Sequence, residues 1–227
     1  MPEAFNEQLA EQIDHYIERL FVPPDESLTQ NLSDAAAAGL PTINVSPNEG
    51  KLLYLIAKMS RAKRILEIGT LGGYSTTWLA RALPADGKLI TLELDQAHAA
   101  VARRNLDRAG VGDRVAILIG RGVDVLDALL DRNEPPFDLI FIDADKPAYV
   151  EYLNRALRLA RTGTVILADN LIRNGRVMNA QLTDASARGA HAYNEAIAHH
   201  PRLESLVLPI IRENLDGLSI SIVTGNE

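Results

Sequence analysis

Apolar residues recur along this chain in two rhythms. From Ala4 to Phe21, Leu9, Ile13, Tyr16, Ile17 and Leu20 fall on one helical stripe among charged residues. Val22-Pro23-Pro24 ends that helix. A second helix is signalled at Ser46-Pro47-Asn48-Glu49, where serine caps, proline takes the first helical position and glutamate closes a capping box. Leu52, Leu53, Ile56 and Met59 supply its apolar face. From Arg64 onward short apolar runs alternate with helical stretches. The runs are Ile65 to Ile68, Leu89 to Leu92, Val115 to Ile119, Leu139 to Ile142 and Thr164 to Leu167. Helices are expected from Tyr74 to Leu83, from an Asp95 cap to Gly110, from Val123 to Arg132, from Pro147 to Gly163 and from Ala187 to His199. This alternation is the mark of a parallel sheet covered on both faces. Two closing segments, Leu203 to Leu208 and Leu218 to Val223, are expected as an antiparallel pair at one sheet edge. The expected fold is a doubly wound α/β sheet. One domain is expected over residues 1–227, with helices over 1–60 and the α/β core over 61–227.

Composition narrows the chemistry. With 47% hydrophobic and 23% charged residues, the 227-residue chain has the make-up of an ordinary globule. The absence of cysteine excludes a disulfide scaffold, a thiolate zinc site, an iron–sulfur cluster and a cysteine nucleophile. A net charge of −7 disfavours wrapping a nucleic-acid backbone, while leaving room for a local basic groove. No apolar run reaches the ~18–20 residues of a membrane span. The start, Met1-Pro2-Glu3-Ala4-Phe5-Asn6-Glu7, lacks the basic and apolar regions of a signal peptide, so a cytoplasmic protein is expected.

In open parallel sheets ligands bind beyond the carboxyl ends of the strands. Those ends carry Glu67-Ile68-Gly69-Thr70-Leu71-Gly72-Gly73-Tyr74-Ser75, Glu93, Asp143-Ala144-Asp145-Lys146 and Asp169-Asn170. The glycine-rich turn lets backbone amides approach a ligand at a helix N-terminus. Glu93, at the end of the next strand, is placed to accept both hydroxyls of a ribose. The spacing after Gly69 does not fit the dinucleotide fingerprint G-x-G-x-x-G, and Glu67 would repel a pyrophosphate. A carboxylate there suits an ammonium instead, which turns the reading from hydride transfer to methyl transfer from S-adenosylmethionine (SAM). Asp143, Asp169 and Asn170 form an oxygen-only set, expected on adjacent strands and suited to a hard cation such as Mg²⁺. Lys146, three residues past Asp143, would face the same pocket as a candidate base. The five histidines sit in no motif, Arg103-Arg104 and Arg108 read as a charged helix surface, and Trp78 and Leu79 read as core.

The run Arg64-Ile65-Leu66-Glu67-Ile68-Gly69-Thr70-Leu71-Gly72-Gly73-Tyr74-Ser75-Thr76 resembles the cofactor loop of the cation-dependent O-methyltransferases, the family of catechol and caffeoyl-CoA O-methyltransferases. Phe137 to Lys146 and Ala168-Asp169-Asn170 are similar to its two metal-site motifs. The resemblance implies a Rossmann-like, mostly parallel seven-stranded sheet. It implies that Glu67, Gly69, Thr70, Ser75, Glu93 and Asp143 hold SAM, with Val45 and Gly122 lining the pocket. It further implies that Asp143, Asp169 and Asn170 bind Mg²⁺ (or Mn²⁺ or Ca²⁺), that Lys146 is the base, and that the protein is a homodimer. The acceptor implied is a phenolic, catechol-like small molecule, whose hydroxyl pKa of about 10 the cation would lower. Two segments depart from the pattern. Arg173 stands where many relatives carry tryptophan, and the approach to Asp216-Gly217 through Pro209 to Leu215 is longer. Arg173, with Arg212, is expected to favour an acidic catechol. Competing readings are a methyltransferase for hydroxyuridine in transfer RNA, a non-catalytic adenosine-ligand sensor, and a nicotinamide oxidoreductase.

Overall fold

The computed structural model describes residues 7–179, 184–211 and 215–225, the side chains of residues 7 and 211 excepted. Three helices lead: α1 (Glu7–Phe21), α2 (Glu26–Ala37) and α3 (Pro47–Met59). Strands and helices then alternate: β1 (Arg64–Ile68), α4 (Tyr74–Ala82), β2 (Lys88–Glu93), α5 (Gln96–Arg108), β3 (Val115–Ile119), α6 (Gly122–Asp131), β4 (Phe137–Ile142), α7 (Tyr149–Arg158) and β5 (Ala160–Ala168). Helix α8 (Ala185–His199) and strands β6 (Leu203–Ile211) and β7 (Leu215–Val223) follow. The seven strands run in the order β3-β2-β1-β4-β5-β7-β6. Strands β1 to β5 pair in parallel, and β7 is antiparallel to both β5 and β6. The expected doubly wound sheet with an antiparallel edge pair is therefore the one observed. The strand order reverses direction between β1 and β4, which opens a crevice at their carboxyl ends.

Side chains alternate across the strands and build a core on each face. Ile65, Leu139, Phe141, Val165 and Leu167 pack with Leu53, Ile56, Trp78 and Leu79 of α3 and α4. Leu66, Ile68, Ile140, Ile142 and Ile166 pack with Leu126, Tyr149, Leu153 and Tyr193 of α6, α7 and α8. Trp78 and Leu79 are core, as their positions predict. The α3 capping box is formed: Ser46 Oγ accepts from the Glu49 amide, and Glu49 Oε2 from the Ser46 amide.

Three boundaries differ from expectation. Helix α2 has no counterpart in the sequence reading, because its apolar side is little more than Leu28, Leu32 and alanines. Ion pairs fix it instead: Arg81 of α4 reaches its N-cap Asp25 at 2.8 Å, and Arg108 of α5 binds Asp34. Helix α7 stops at Arg158 rather than near Gly163, and β5 starts at Ala160. There Thr164 Oγ1 accepts from the Arg161 amide at 2.9 Å and donates to the Phe137 carbonyl at 2.7 Å, tying the strand start to β4. Strands β6 and β7 each extend further toward their connection, to Ile211 and from Leu215. Pro209 is tolerated within β6 because β6 is the sheet edge. Residues 4–6 of the expected first helix lie outside the described residues.

Candidate active site

A cavity of about 640 Å³ opens at the carboxyl ends of β1, β2 and β4, with α2 and the segment after it on the opposite side. The turn after β1 forms its floor. Gly69 has φ +105°, and a Cβ there would stand 1.9 Å from the Asp143 carbonyl oxygen. Only glycine lets the β1 and β4 strand ends come this close. Gly73, also left-handed, then starts α4.

Val45, Gly69, Thr70, Ser75, Glu93, Gly122, Asp143, Lys146 and Asn170 all line this cavity, so the structure brings together nine of the residues expected there. The remaining two stand behind its wall. Glu67 is fully buried on β1, where its carboxylate accepts from Ser75 Oγ at 2.7 Å, Thr76 Oγ1 at 2.5 Å and Thr91 Oγ1 at 2.6 Å. Thr70 Oγ1 lies 2.6 Å from Thr91 Oγ1 and extends the chain of hydroxyls back to the turn. Burial raises the Glu67 carboxyl to about 7, the three hydroxyls oppose that rise, and nearby Asp143 adds to it. Asp169, 5% exposed, faces a small cleft beside Val45, Glu49 and Leu53. Desolvation, then Asp143 and Glu49, push its carboxyl well above the usual range.

At one end of the cavity Glu93 Oε2 accepts from the Leu71 amide at 2.7 Å, and Oε1 from the Asp95 amide at 2.9 Å. His98 Nδ1 is 3.6 Å from Glu93 Oε1 and lines the same wall. Sequence reasoning passed over this histidine. The signal available was its place one turn into the helix that follows the strand-end acid. At the other end Lys146 is buried, with Nζ donating to Asp143 Oδ1 at 2.9 Å and to the Tyr149 hydroxyl at 2.7 Å. The Tyr149 hydroxyl lies 3.2 Å and 3.1 Å from the carbonyls of Ile142 and Asp169. Burial pushes the Tyr149 phenol up, so it stays neutral and holds the lysine head as an acceptor. Gly189 of α8 lets that helix rest on the Lys146 backbone, since a Cβ there would stand 2.1 Å from the Lys146 carbonyl oxygen.

Asp143 follows β4 and Asp169-Asn170 follows β5, strands that are adjacent as expected. A buried carboxylate whose proton affinity is raised by burial and by the neighbouring Asp143, together with Asp143 itself and an amide oxygen, is the kind of oxygen set that suits a hard divalent cation. Among the described residues no group of three or more His, Cys, Asp or Glu is placed to hold a metal ion, so this set rests on two carboxylates and one amide. Asn170 is held at φ +62° while its amide donates to Asp169 Oδ1 at 2.7 Å.

The next segment walls the cavity. Arg173 and Asn174 are left-handed, at φ +51° and +55°. Asp216 Oδ1 accepts from the amides of Ile172, Arg173 and Gly217 at 3.0, 3.0 and 2.9 Å, which pins the loop to β7. Arg173 reaches the cavity, and its buried Nε has no hydrogen-bond partner among the described residues. Arg212 lies outside the described residues, as does much of the longer approach to Asp216. No described helix is long and apolar enough to cross a membrane.

Known proteins resemble this chain in sequence and in fold. The sequence profile of the O-methyltransferase family matches residues 23–221. A catechol O-methyltransferase of Niastella koreensis is 47% identical over 96% of this chain and 99% of its own. The O-methyltransferase of Bacillus cereus in complex with S-adenosylhomocysteine (SAH) is 40% identical, covers 96% of this chain and 100% of its own, and has a TM-score of 0.94. An O-methyltransferase of Streptomyces achromogenes in complex with SAM is 37% identical over 98% of this chain and 100% of its own, with a TM-score of 0.93. With a profile match over most of its length and relatives alike from end to end, this chain belongs to the O-methyltransferase family.

Proposed function

We propose that this chain transfers the methyl group of SAM to one hydroxyl of a catechol-like small molecule with the help of a divalent cation, Mg²⁺ first among the candidates. The observation that carries the reading is the pairing of two ends in one cavity. Glu93 and His98 offer hydroxyl-binding groups at one end, and Lys146 sits beside Asp143 at the other, with Asn170 on the same wall and Asp169 behind it.

When bound, SAM supplies an electrophilic methyl and the cation supplies positive charge against the acceptor's two oxygens. The chain's own residues do the rest. Glu93 receives the ribose hydroxyls, and Gly69, Thr70, Ser75, Val45 and Gly122 shape the channel for the cofactor. Glu67 gives a buried negative charge for its ammonium. Asp143, Asp169 and Asn170 would hold the cation. Lys146 Nζ, steadied by Tyr149, would take the proton of the hydroxyl being methylated once its ammonium has given a proton to solvent and stands as the neutral amine. Fixing both reactants in one water-poor cavity supplies orientation. Arg173, whose Nε has no hydrogen-bond partner among the described residues, supports acceptors that carry a carboxylate. The reading also includes one domain spanning the chain, the cytoplasm as its place, and a homodimer. Ile13, Tyr16, Leu20 and Phe21 of α1 are exposed apolar surface that a second copy would cover.

The test is methyl transfer from SAM to a panel of catechols, with Mg²⁺ and again with excess chelator, for wild type and Asp143→Ala. Turnover that disappears both on chelation and in the variant is expected. Turnover insensitive to chelation would refute the cation, and SAH binding without turnover of any catechol would refute the catechol acceptor and move the search to transfer RNA or to a sensor role.

A further inference from the structure

Helix α2 carries a side chain that the cavity has not yet explained. Asn31 is only 1% exposed, yet neither its Oδ1 nor its Nδ2 has a hydrogen-bond partner among the described residues. Because both atoms are orphaned, exchanging the amide's two ends does not rescue either. A buried donor and a buried acceptor left unsatisfied are costly, and native structures keep such groups mostly where function uses them. Asn31 belongs to the cavity wall, directly over the glycine turn: its Oδ1 lies 3.7 Å from where a Cβ of Gly72 would stand. The helix that bears it is fastened to that turn. Asn105 Nδ2 of α5 donates to the Gly72 carbonyl at 2.9 Å and stands 3.5 Å from the Asn31 carbonyl oxygen. Arg81 and Arg108 grip Asp25 and Asp34 at the two ends of α2. The amide is thus held in place without being satisfied.

We infer that Asn31 is a cofactor-binding residue that engages the ammonio-carboxylate end of SAM. An amide presents one acceptor and a pair of donor hydrogens, and a zwitterion supplies the matching ammonium and carboxylate with charge-assisted strength. In the SAM reading Glu67 serves the ammonium through the turn that ends at Ser75, and Asn31 stands over that turn at Gly72, next to Leu71, whose amide Glu93 holds. Helix α2 thereby contributes to cofactor affinity as well as to the cavity roof. This inference rests on the SAM reading above.

The test uses Asn31→Leu, nearly the same shape without the polar atoms, with Asn31→Ala as a second variant. Thermal unfolding is measured without ligand, and binding of SAH and of methylthioadenosine, which lacks the amino-acid end, is measured by calorimetry. If wild type fails to bind SAH, the SAM reading itself falls. Given wild-type binding, the variants are expected to melt at or above the wild-type temperature while unliganded. SAH affinity is expected to drop about tenfold, a loss typical of one charge-assisted contact, with methylthioadenosine affinity unchanged. Variants that melt lower and bind SAH as tightly as wild type would make Asn31 a structural residue and overturn the inference. Equal weakening of both ligands would move Asn31 to the nucleoside side and overturn it as well.

Discussion

Replacing Glu67 by glutamine probes the buried carboxyl at the centre of the site. In the ligand-free fold this carboxyl is raised from 4.5 to about 7, by burial first and by Asp143 after the opposing hydroxyls of Thr76, Thr91 and Ser75. At ~1.4 kcal/mol per pH unit, the ionised form carries a penalty of about 3 kcal/mol in the native state. Below about pH 4.5 both folded and unfolded chains hold the proton, and the penalty is absent. Between there and about pH 7 the unfolded chain ionises while the folded one does not, so stability falls as pH rises. Above about pH 7 the folded carboxyl ionises too, and the loss is complete. An ammonium ligand needs the ionised form. Its binding below pH 7 must therefore expel a proton, which costs affinity about tenfold per pH unit. The assay is calorimetric titration with SAH from pH 5.5 to 8.5, in buffers of different ionisation enthalpy. Wild type is expected to bind at pH 6 about tenfold more weakly than on its plateau near pH 8, with release of one proton. Glu67→Gln is expected to be flat with pH, weaker than the wild-type plateau, and more stable than wild type above pH 7 when unliganded. Wild-type affinity that ignores pH would refute the reasoning. So would a pH slope that survives in Glu67→Gln, since it would belong to another group.

Two further outcomes are expected. Arg173→Ala should lower kcat/KM for carboxylated catechols about tenfold or more, the order of a lost charge-assisted contact, and leave neutral catechols unaffected; equal effects on both, measured side by side, would show that Arg173 does not read acceptor charge. Gly69→Ala places a Cβ against the Asp143 carbonyl at φ +105° and should cost about 2–4 kcal/mol of stability and abolish SAH binding. A wild-type melting temperature and SAH affinity in that variant would show that the strand ends do not need their close approach.

The strands were readable because parallel strands buried on both faces appear as short apolar runs, as in Leu139 to Ile142. The α3 start was readable because a capping box is written in side chains four positions long. The candidate site was readable as far as strand ends go, since topology alone carries Gly69, Glu93, Asp143 and Asn170 to one crevice. What tertiary contacts decide was not readable. Helix α2 depends on arginines from α4 and α5, and nothing in its own weak apolar pattern signals them. The end of α7 was misplaced because Leu157 and Leu159 continue the helical spacing, while the Thr164 bonds that begin β5 early involve a neighbouring strand. Glu67 and Asp169 share the strand-end pattern of their neighbours yet stand behind the wall, and only packing distinguishes them. His98 gained its meaning from a contact with Glu93 that no motif announces.

The hold of Asp216 on the amides of Ile172 and Arg173 separates the path of the acceptor wall from its chemistry. The loop's course is set by a carboxylate on β7 and by backbone conformations, neither of which consults the side chain at position 173. One codon there can consequently change charge, length or aromatic character while Asp143, Asp169, Asn170 and the glycine turn stay where they are. The left-handed backbone limits that freedom to unbranched-at-Cβ residues, for which φ +51° is least strained. Acceptor choice in this scaffold is then a trait that single substitutions can diversify without rebuilding the loop, in a natural lineage or in a library saturated at that one position.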